Sequence, residues 1–389
     1  MDMKRIGIDL LWVRPTQDGN VANGGTYSYI KNILDGLSAT HVEKYLFCLY
    51  VSRDNQQFFK DYENKQQFII KLCNTNSISQ GKRILWENFH MNRITKKDRL
   101  DIWFIPVFSR PLLLSRKAAS VTVIHDLISL HYPGNYSKIR AYFFWKSWKR
   151  DVKCSDKVVT ISAFCKKDII QRLKAETSKV EVIYNPIIMK PSETDFTELQ
   201  GRYGIEKKRY LYTVSSLAKH KNLLTIIKAL KLFKESDKTV KLVITGVKDN
   251  DNSILSYIEE NGLKDNVIYT GRISDSIRDC LYDNCQMFLF PSVFEGFGMP
   301  AVEAMERNIP VITTKETALL EVTQGKATYV DNPYDENEWC QKISSIVKNS
   351  NLTADKDARL YADFDTEPYS LLHVTNEYLK LFDRVIKNR

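Results

Sequence analysis

Two series of short, β-rich apolar runs alternate with amphipathic segments of helix length, and this alternation constrains the fold more than any other feature of the chain. Strands that are apolar on both faces and joined by helical crossovers belong in parallel sheets covered on both sides. In the first series the pattern predicts strands over 4–13, 45–52, 68–73, 101–106, 119–125, 156–162 and 179–184, with helices near 26–38, 83–98, 138–154 and 163–174. It breaks at "NPIIMKPSETDFTELQGRYGIEKK" (185–208), polar and punctuated by Pro and Gly, which puts a domain linker at about 185–195. The second series predicts strands over 209–215, 240–245, 267–270, 286–292 and 310–313, and helices over 222–235, 252–262, 274–284, 299–307 and 335–349. Residues 353–388 read as helical, and a terminal helix of that length can pack back on the first domain. A chain of 389 residues exceeds one core, so the expectation is an α/β protein of two Rossmann-like, doubly wound domains, 1–190 and 191–389.

Open α/β sheets bind ligands beyond the carboxyl ends of their strands. Two such domains facing each other would line one cleft with their strand-exit loops, and four loops carry chemistry. "GNVANGGTYSYI" has Gly24 and Gly25 before a helix with Thr26 at its start. It reads either as a backbone approach to phosphate or as a plain turn and helix cap. In "SVTVIHDLISL", His125 and Asp126 end an apolar strand. His125 is placed to exchange hydrogen bonds with a sugar hydroxyl or act as a base, and a structural His–Asp pair is the alternative. "YLYTVSSLAKHKNLLTII" sets Ser215, Ser216, Lys219, His220 and Lys221 between a strand and a helix, a seat for diphosphate or a set of solvated loop charges.

The fourth loop, "FEGFGMPAVEAM" (294–305), is the most informative. Gly296, Phe297 and Gly298 form a turn, and Met299 and Pro300 begin a helix whose free amides suit a pyrophosphate. Glu295 would repel that phosphate, so it must address neutral hydroxyls of an attached group. Glu303, in the first or second turn of that helix, reads either as an acceptor of two ribose hydroxyls or as a glutamate that stabilises the helix dipole. Gly296, Gly298, Ala301 and Glu316 also match a dinucleotide fingerprint, but the match falls late in the second domain and loosely after its strand.

The charge is +10 overall, yet residues 1–190 hold 31 Lys+Arg against 17 Asp+Glu while the remainder is slightly acidic. That asymmetry calls for an anionic partner of the first half: phosphate, a membrane surface or nucleic acid. The seven cysteines show no metal spacing and read as reduced thiols, and no apolar run reaches the ~18 residues of a membrane span, so a cytoplasmic protein is expected. No metal motif stands out: "DFD" (363–365) and "DND" (249–251) fall in a helical tail and a polar loop.

The stretch from "VIYTGRISDSIRDC" to "KETALLEV" (267–322) resembles the donor domain of retaining GT-B glycosyltransferases of family 4, with Glu295 and Glu303 as the E-x7-E pair. "GGT", "VIHDLISLHYP", "VVTISAFCKKDI", "VIYNP" and "KHKNL" follow the family's order, so the resemblance covers nearly the whole chain. It implies a nucleotide-sugar donor, no cofactor and no metal. It implies that Glu303 holds the ribose, Glu295 the sugar hydroxyls, the amides of Phe297, Gly298 and Met299 the sugar and phosphates, and Lys221 the leaving diphosphate. Gly25 would approach that diphosphate from the first domain, and His125 would face the reacting sugar. Ser216 and His220 stand where relatives carry arginine, with Lys219 or Arg272 as substitutes, and Asn308 replaces a usual glycine.

The "IHDL…P" block resembles the bacterial mannosyltransferase-like subgroup that builds surface polysaccharides, which makes GDP-mannose the first donor, with GDP-fucose and UDP-sugars as alternatives. In "SKIRAYFFWKSWKRDVK" (137–153), Ala141, Phe144, Trp145, Trp148 and Val152 form an expected core stripe. Lys146, Lys149, Arg150 and Lys153, with Tyr142 and Phe143, form a face suited to an anionic inner-leaflet surface and a lipid-diphosphate-linked saccharide acceptor, or a plain solvated basic face. A nucleic-acid-binding protein is the rival reading; it leaves the acids and glycines at 294–305 unexplained, so no nucleic-acid partner is expected. A phosphorylase or epimerase on the same fold is a third.

Overall fold

The computed structural model describes residues 3–17, 19, 21–22, 24–40, 43–107, 110–112, 117–246, 253–350 and 360–389. The elements run β1 (Lys4–Asp9), α1 (Gly24–Ala39), β2 (Tyr45–Ser52), β3 (Phe68–Cys73), α2 (Gln80–Lys97), β4 (Ile102–Ile105), β5 (Ala119–Val123), α3 (Ile128–His131), α4 (Lys138–Cys154), β6 (Lys157–Thr160), α5 (Ala163–Leu173) and β7 (Val180–Val182). They continue with α6 (Phe196–Tyr203), β8 (Tyr210–Val214), α7 (Leu223–Phe233), β9 (Lys241–Thr245), α8 (Ser253–Glu260), β10 (Val267–Gly271), α9 (Asp275–Asn284), β11 (Met287–Phe290), α10 (Met299–Glu306), β12 (Val311–Thr314), α11 (Leu319–Val322), β13 (Thr328–Val330), α12 (Glu336–Ser350) and α13 (Leu371–Lys387).

The chain divides into two compact units, Met1–Ile188 with Glu367–Arg389, and Met189–Thr366. The first holds a parallel sheet ordered β3-β2-β1-β4-β5-β6-β7, the second a parallel sheet ordered β10-β9-β8-β11-β12-β13. Both are doubly wound, as the alternation predicts. Strand order reverses between β1 and β4 and again between β8 and β11, and at such points the exit loops splay apart and leave a crevice. Fully buried aliphatic residues such as Leu211, Leu242, Leu289 and Ile312 form the core beneath these loops in the second unit.

Several expected boundaries move. The strand expected over 4–13 ends at Asp9, whose Oδ1 accepts the Leu11 amide at 3.1 Å while its carbonyl accepts Trp12 Nε1 at 3.0 Å. Leu10 to Val13 stay buried in the resulting turn, so hydrophobicity alone could not mark it. The boundary between the units, at Ile188 and Met189, falls inside the expected linker, and the polar stretch after it forms α6, capped by Asp195 through the Thr197 amide at 3.0 Å and ended by Gly204 in the left-handed region (φ 61). β13 is three residues long, too short to register as a run. Asp363 lies in a turn and Asp365 in irregular chain before α13 instead of in a helix, and residues 249–251 and 351–359 lie outside the described residues.

The last segment belongs to the first unit, which corrects the assignment of all of 191–389 to the second domain. α13 packs on α1 where a Cβ on Gly36 would fall 2.0 Å from Thr375 Oγ1, so only glycine admits the contact. Tyr29 and Tyr378 share a buried hydroxyl–hydroxyl hydrogen bond, and Asp383 pairs with Lys4 at 3.0 Å and Lys44 at 2.6 Å. These cations, with Tyr45, hold the Asp383 carboxyl below the usual range against the opposing effect of burial.

α4 differs from its expected face. Its buried positions are Ser147, Asp151 and Val152, while Phe144, Trp145 and Trp148 are half-buried and Tyr142 and Phe143 exposed. The two tryptophans edge onto the cluster of Ile124, Leu127 and Val158 without being covered by it. Arg150, expected on the exposed basic face, turns inward to donate to the Arg110 carbonyl. All seven cysteines are free thiols, and among the described residues no helix is long and apolar enough to cross a membrane.

Gly36→Leu is expected to lower unfolding free energy by about 2 kcal/mol in urea denaturation, because the clash with Thr375 outweighs the ~1 kcal/mol gained in helix propensity. A stability equal to or above wild type would contradict the close approach of α13.

Candidate active site

The exits of β8 and β11 flank the strand-order reversal of the second sheet, and hydrogen bonds tie them together. Residues 219–221 form a single 3-10 turn closed by Asn222 in the left-handed region (φ 53). The buried His220 presents its carbonyl to the Val293 amide at 2.9 Å and the Ser292 hydroxyl at 3.3 Å. Thr314 at the end of β12 donates its hydroxyl to the Ser292 carbonyl at 2.7 Å. This framework brings Lys221 Nζ to 2.7 Å from Glu295 Oε1, with both side chains mostly covered.

Behind the pair, the Glu295 amide donates to Thr317 Oγ1 at 2.9 Å, fixing the carboxylate's backbone. Gly298 has φ 99, and a Cβ there would fall 2.6 Å from Leu319 Cδ2, so the turn requires glycine twice over, for conformation and for space. As N-cap of α10 it carries no side chain to occupy the first amides. Pro300 sits in that first turn, and Phe297 is buried, anchoring the turn from beneath. Gly296 completes the link between the acid and the helix. Ser216 and Arg272 lie after β8 and β10, at the same carboxyl edge of the sheet, Arg272 exposed and Ser216 half-buried.

The two glutamates have different neighbours. Glu303 is half-buried on α10, facing α9; burial pushes its carboxyl up, while the Arg278 and Arg307 cations and a Tyr282 hydrogen bond pull it down. Arg278 and Arg307 both pair with Asp279, at 2.9 and 3.1 Å. Glu306, one helical turn on, is pushed up to about 7 by burial and by the charge of Glu303.

In the first unit, α1 begins at Gly24, so the two glycines are its first helical residues and not the turn before it. Both are exposed with open space around them. His125, after β5, places Nε2 2.9 Å from the Pro106 carbonyl and its ring edge-on to Tyr29, with centroids 4.6 Å apart. A carbonyl only accepts, so Nε2 carries the proton and Nδ1 the lone pair. Burial pushes the imidazole down to about 4, against the raising effect of the Pro106 bond. His125 is therefore neutral at pH 7: it accepts a hydrogen bond well and stores a proton poorly. Asp126 does not pair with it in the expected structural dyad; its Oδ1 accepts the Ile128 amide at 2.9 Å.

Sequence reasoning missed Thr317, Arg278 and the buried trio Asp9, Arg83 and Glu87. The acid ending the apolar strand "RIGID" is the one of these that left a signal. Among the described residues no group of three or more His, Cys, Asp or Glu side chains is arranged to hold a metal.

A family model described as Glycosyltransferase Family 4 matches residues 23–190, and one described as Glycosyl transferases group 1 matches residues 195–362. The chain belongs to glycosyltransferase family 4. It is 31% identical over 223 residues to O-antigen chain mannosyltransferase RfbU of Salmonella typhimurium, covering 57% of this chain and 59% of that one. It is 28% identical over 241 residues to O-antigen chain mannosyltransferase B of Escherichia coli, covering 60% and 62%. The matches thus span less than two thirds of these relatives. A glycosyltransferase from Rickettsia africae superposes with TM-score 0.71 at 18% identity, covering all of both chains. WaaG, a glycosyltransferase involved in lipopolysaccharide biosynthesis, superposes at 0.69 and 16% identity over 98% of this chain and 99% of WaaG. At these identities the likeness is one of fold, and the fold of this family 4 member is GT-B.

The depressed His125 value sets a pH dependence. A folded value of about 4 against an ordinary 6.5 leaves its contribution to stability full above 6.5 and lost as pH falls towards 4. His125→Gln, which keeps a donor for Pro106 but cannot protonate, should lose roughly 3 kcal/mol less than wild type in urea titrations between pH 7 and pH 4. Parallel losses would contradict a buried neutral imidazole.

Proposed function

We propose that the protein transfers a hexose, mannose from GDP-mannose as the first choice, to a lipid-linked saccharide acceptor in surface polysaccharide synthesis, with retention of configuration. The observation that carries this reading is the Lys221–Glu295 pair, 2.7 Å apart beside an uncapped helix start. A cation, the amides of a helix start with no side-chain cap and an acid in one spot suit a sugar diphosphate, the acid taking neutral hydroxyls and the others the phosphates. The mannosyltransferase names of the two bacterial relatives support the choice of sugar.

In this mechanism the bond from the anomeric carbon to the diphosphate oxygen breaks while a bond to the acceptor oxygen forms on the same face. The acceptor's proton passes to the departing phosphate oxygen. Lys221 and the amides of Phe297, Gly298 and Met299 stabilise the negative charge gathering there, so no metal is required. Glu295 accepts from the sugar hydroxyls and Glu303 from the ribose, with Ser216, His220 and Arg272 completing the nucleotide side. Gly24 and Gly25 offer amides to phosphate, and His125 offers Nδ1 to a hydroxyl. The exposed Tyr142, Phe143, Lys146, Lys149 and Lys153 of α4 support action at the inner face of a membrane.

Glu295→Gln is expected to cut transfer by about 100-fold or more while the Kd of the nucleoside diphosphate stays nearly constant. Glu303→Ala should instead weaken nucleotide binding, and transfer should survive EDTA. Equal, small effects of both substitutions would contradict the division of roles. A thermal-shift panel of nucleotide sugars identifies the donor: a guanine-only response supports mannose or fucose, a uracil-only response replaces the first choice, and no response removes the transferase reading.

A further inference from the structure

A cavity of ≈ 450 Å³ lies wholly within the first unit, between α2, residues 110–112 and α4. Four arginines line it: Arg83 and Arg110, both buried, with Arg140 and Arg150. One acid shares the lining, Glu87, 3.2 Å from Arg83. Burial pushes the carboxyls of both Glu87 and the neighbouring Asp9 up, which lowers the negative charge they set against the four arginines. Asp151, behind the wall, pairs with Arg150 at 3.4 Å. An excess of positive charge remains in a part-dehydrated space.

The rest of the wall is chiefly apolar, with Ile84, Phe144 and Trp148 inside. Leu112, Ile139 and Phe143 stand exposed at its mouth, Ile139 by 84%. Arginine forks supply donors only, which suits phosphate oxygens. Apolar residues left in water beside those forks suit a hydrocarbon chain attached to the same phosphate. None of these groups has a part in the proposed transfer chemistry.

We propose that this cavity binds one lipid acceptor by its phosphate or diphosphate head, the arginines holding the anion and Leu112, Ile139 and Phe143 receiving the start of the chain. The inference rests on the reading of the protein as a glycosyltransferase with a lipid-linked acceptor, and it adds where that lipid is held and by what.

The test is isothermal titration of the full chain with dodecyl phosphate below its micelle concentration, against dodecyl glucoside and inorganic phosphate. Dodecyl phosphate should bind one to one and at least about tenfold tighter than either half of its chemistry alone, and Arg140→Glu and Phe143→Ser should each weaken it about tenfold. Both positions are exposed enough for the variants to fold, and both variants should keep the wild-type thermal response to nucleotide sugars. Equal affinity for dodecyl glucoside, or no change in both variants, would overturn the proposal. Displacement by phosphatidylglycerol vesicles at equal lipid phosphate would also overturn it, in favour of a bilayer surface. Absent dodecyl phosphate binding with the nucleotide response intact removes this site alone; binding without any nucleotide response supports the lipid site and removes the transferase reading.

Discussion

In a parallel sheet every strand leaves by the same edge, and where strand order reverses, consecutive crossovers pass to opposite faces and their loops cannot close over one another. That constraint positions most of the chemistry described above. In the second unit it sets the loops after β8 and β11 side by side, and the His220 carbonyl, taking two donors from Ser292 and Val293, converts neighbourhood into fixed geometry. Lys221 meets Glu295 because those two loops leave the sheet side by side. In the first unit the same reversal frames the turn after Asp9 and the start of α1.

Electrostatics then divides the work. Glu295 is matched by a lysine, and Glu303 by an arginine pair that it shares with Asp279. Each acid thus has cations of its own beside it, although burial still pushes the Glu303 carboxyl up. His125 is the opposite case: burial without an acidic partner keeps it neutral, and the Pro106 carbonyl selects which nitrogen stays available. The imidazole thus acts as an oriented acceptor. Part of the first unit's basic surplus lies in the four arginines that line one cavity, and part stays on the exposed face of α4 at Lys146, Lys149 and Lys153.

Much of this was legible in the chain. The period of apolar runs disclosed both sheets, and the glycines and proline of 294–305 disclosed the turn and the start of α10, because a turn that needs glycine and a helix that begins with proline are local facts. The helix α6, just past the linker, was missed because it buries only Phe196 and Leu199, too few apolar positions to show a helical period. α4 was misread in part: Val152 is covered as expected, but Phe144 and Trp148 lie half-open along the cavity, while Ser147 and Asp151 take covered positions. Hydrophobic pattern ranks faces by composition, and packing decides which face is used.

By itself the sequence determined the fold class, the doubly wound order implied by alternating strands and helices, and the motif that must bind a sugar diphosphate if the protein does. Those properties follow from short-range periodicity and from residues whose backbone demands are local. Only the tertiary structure decided that Thr317 holds Glu295, that Arg278 and Arg307 flank Glu303, that α13 returns to the first unit through Gly36, and that four arginines gather around one cavity. Each of these joins residues distant along the chain. Their proximity is set by how the helices cover the sheets, and no local pattern carries that information.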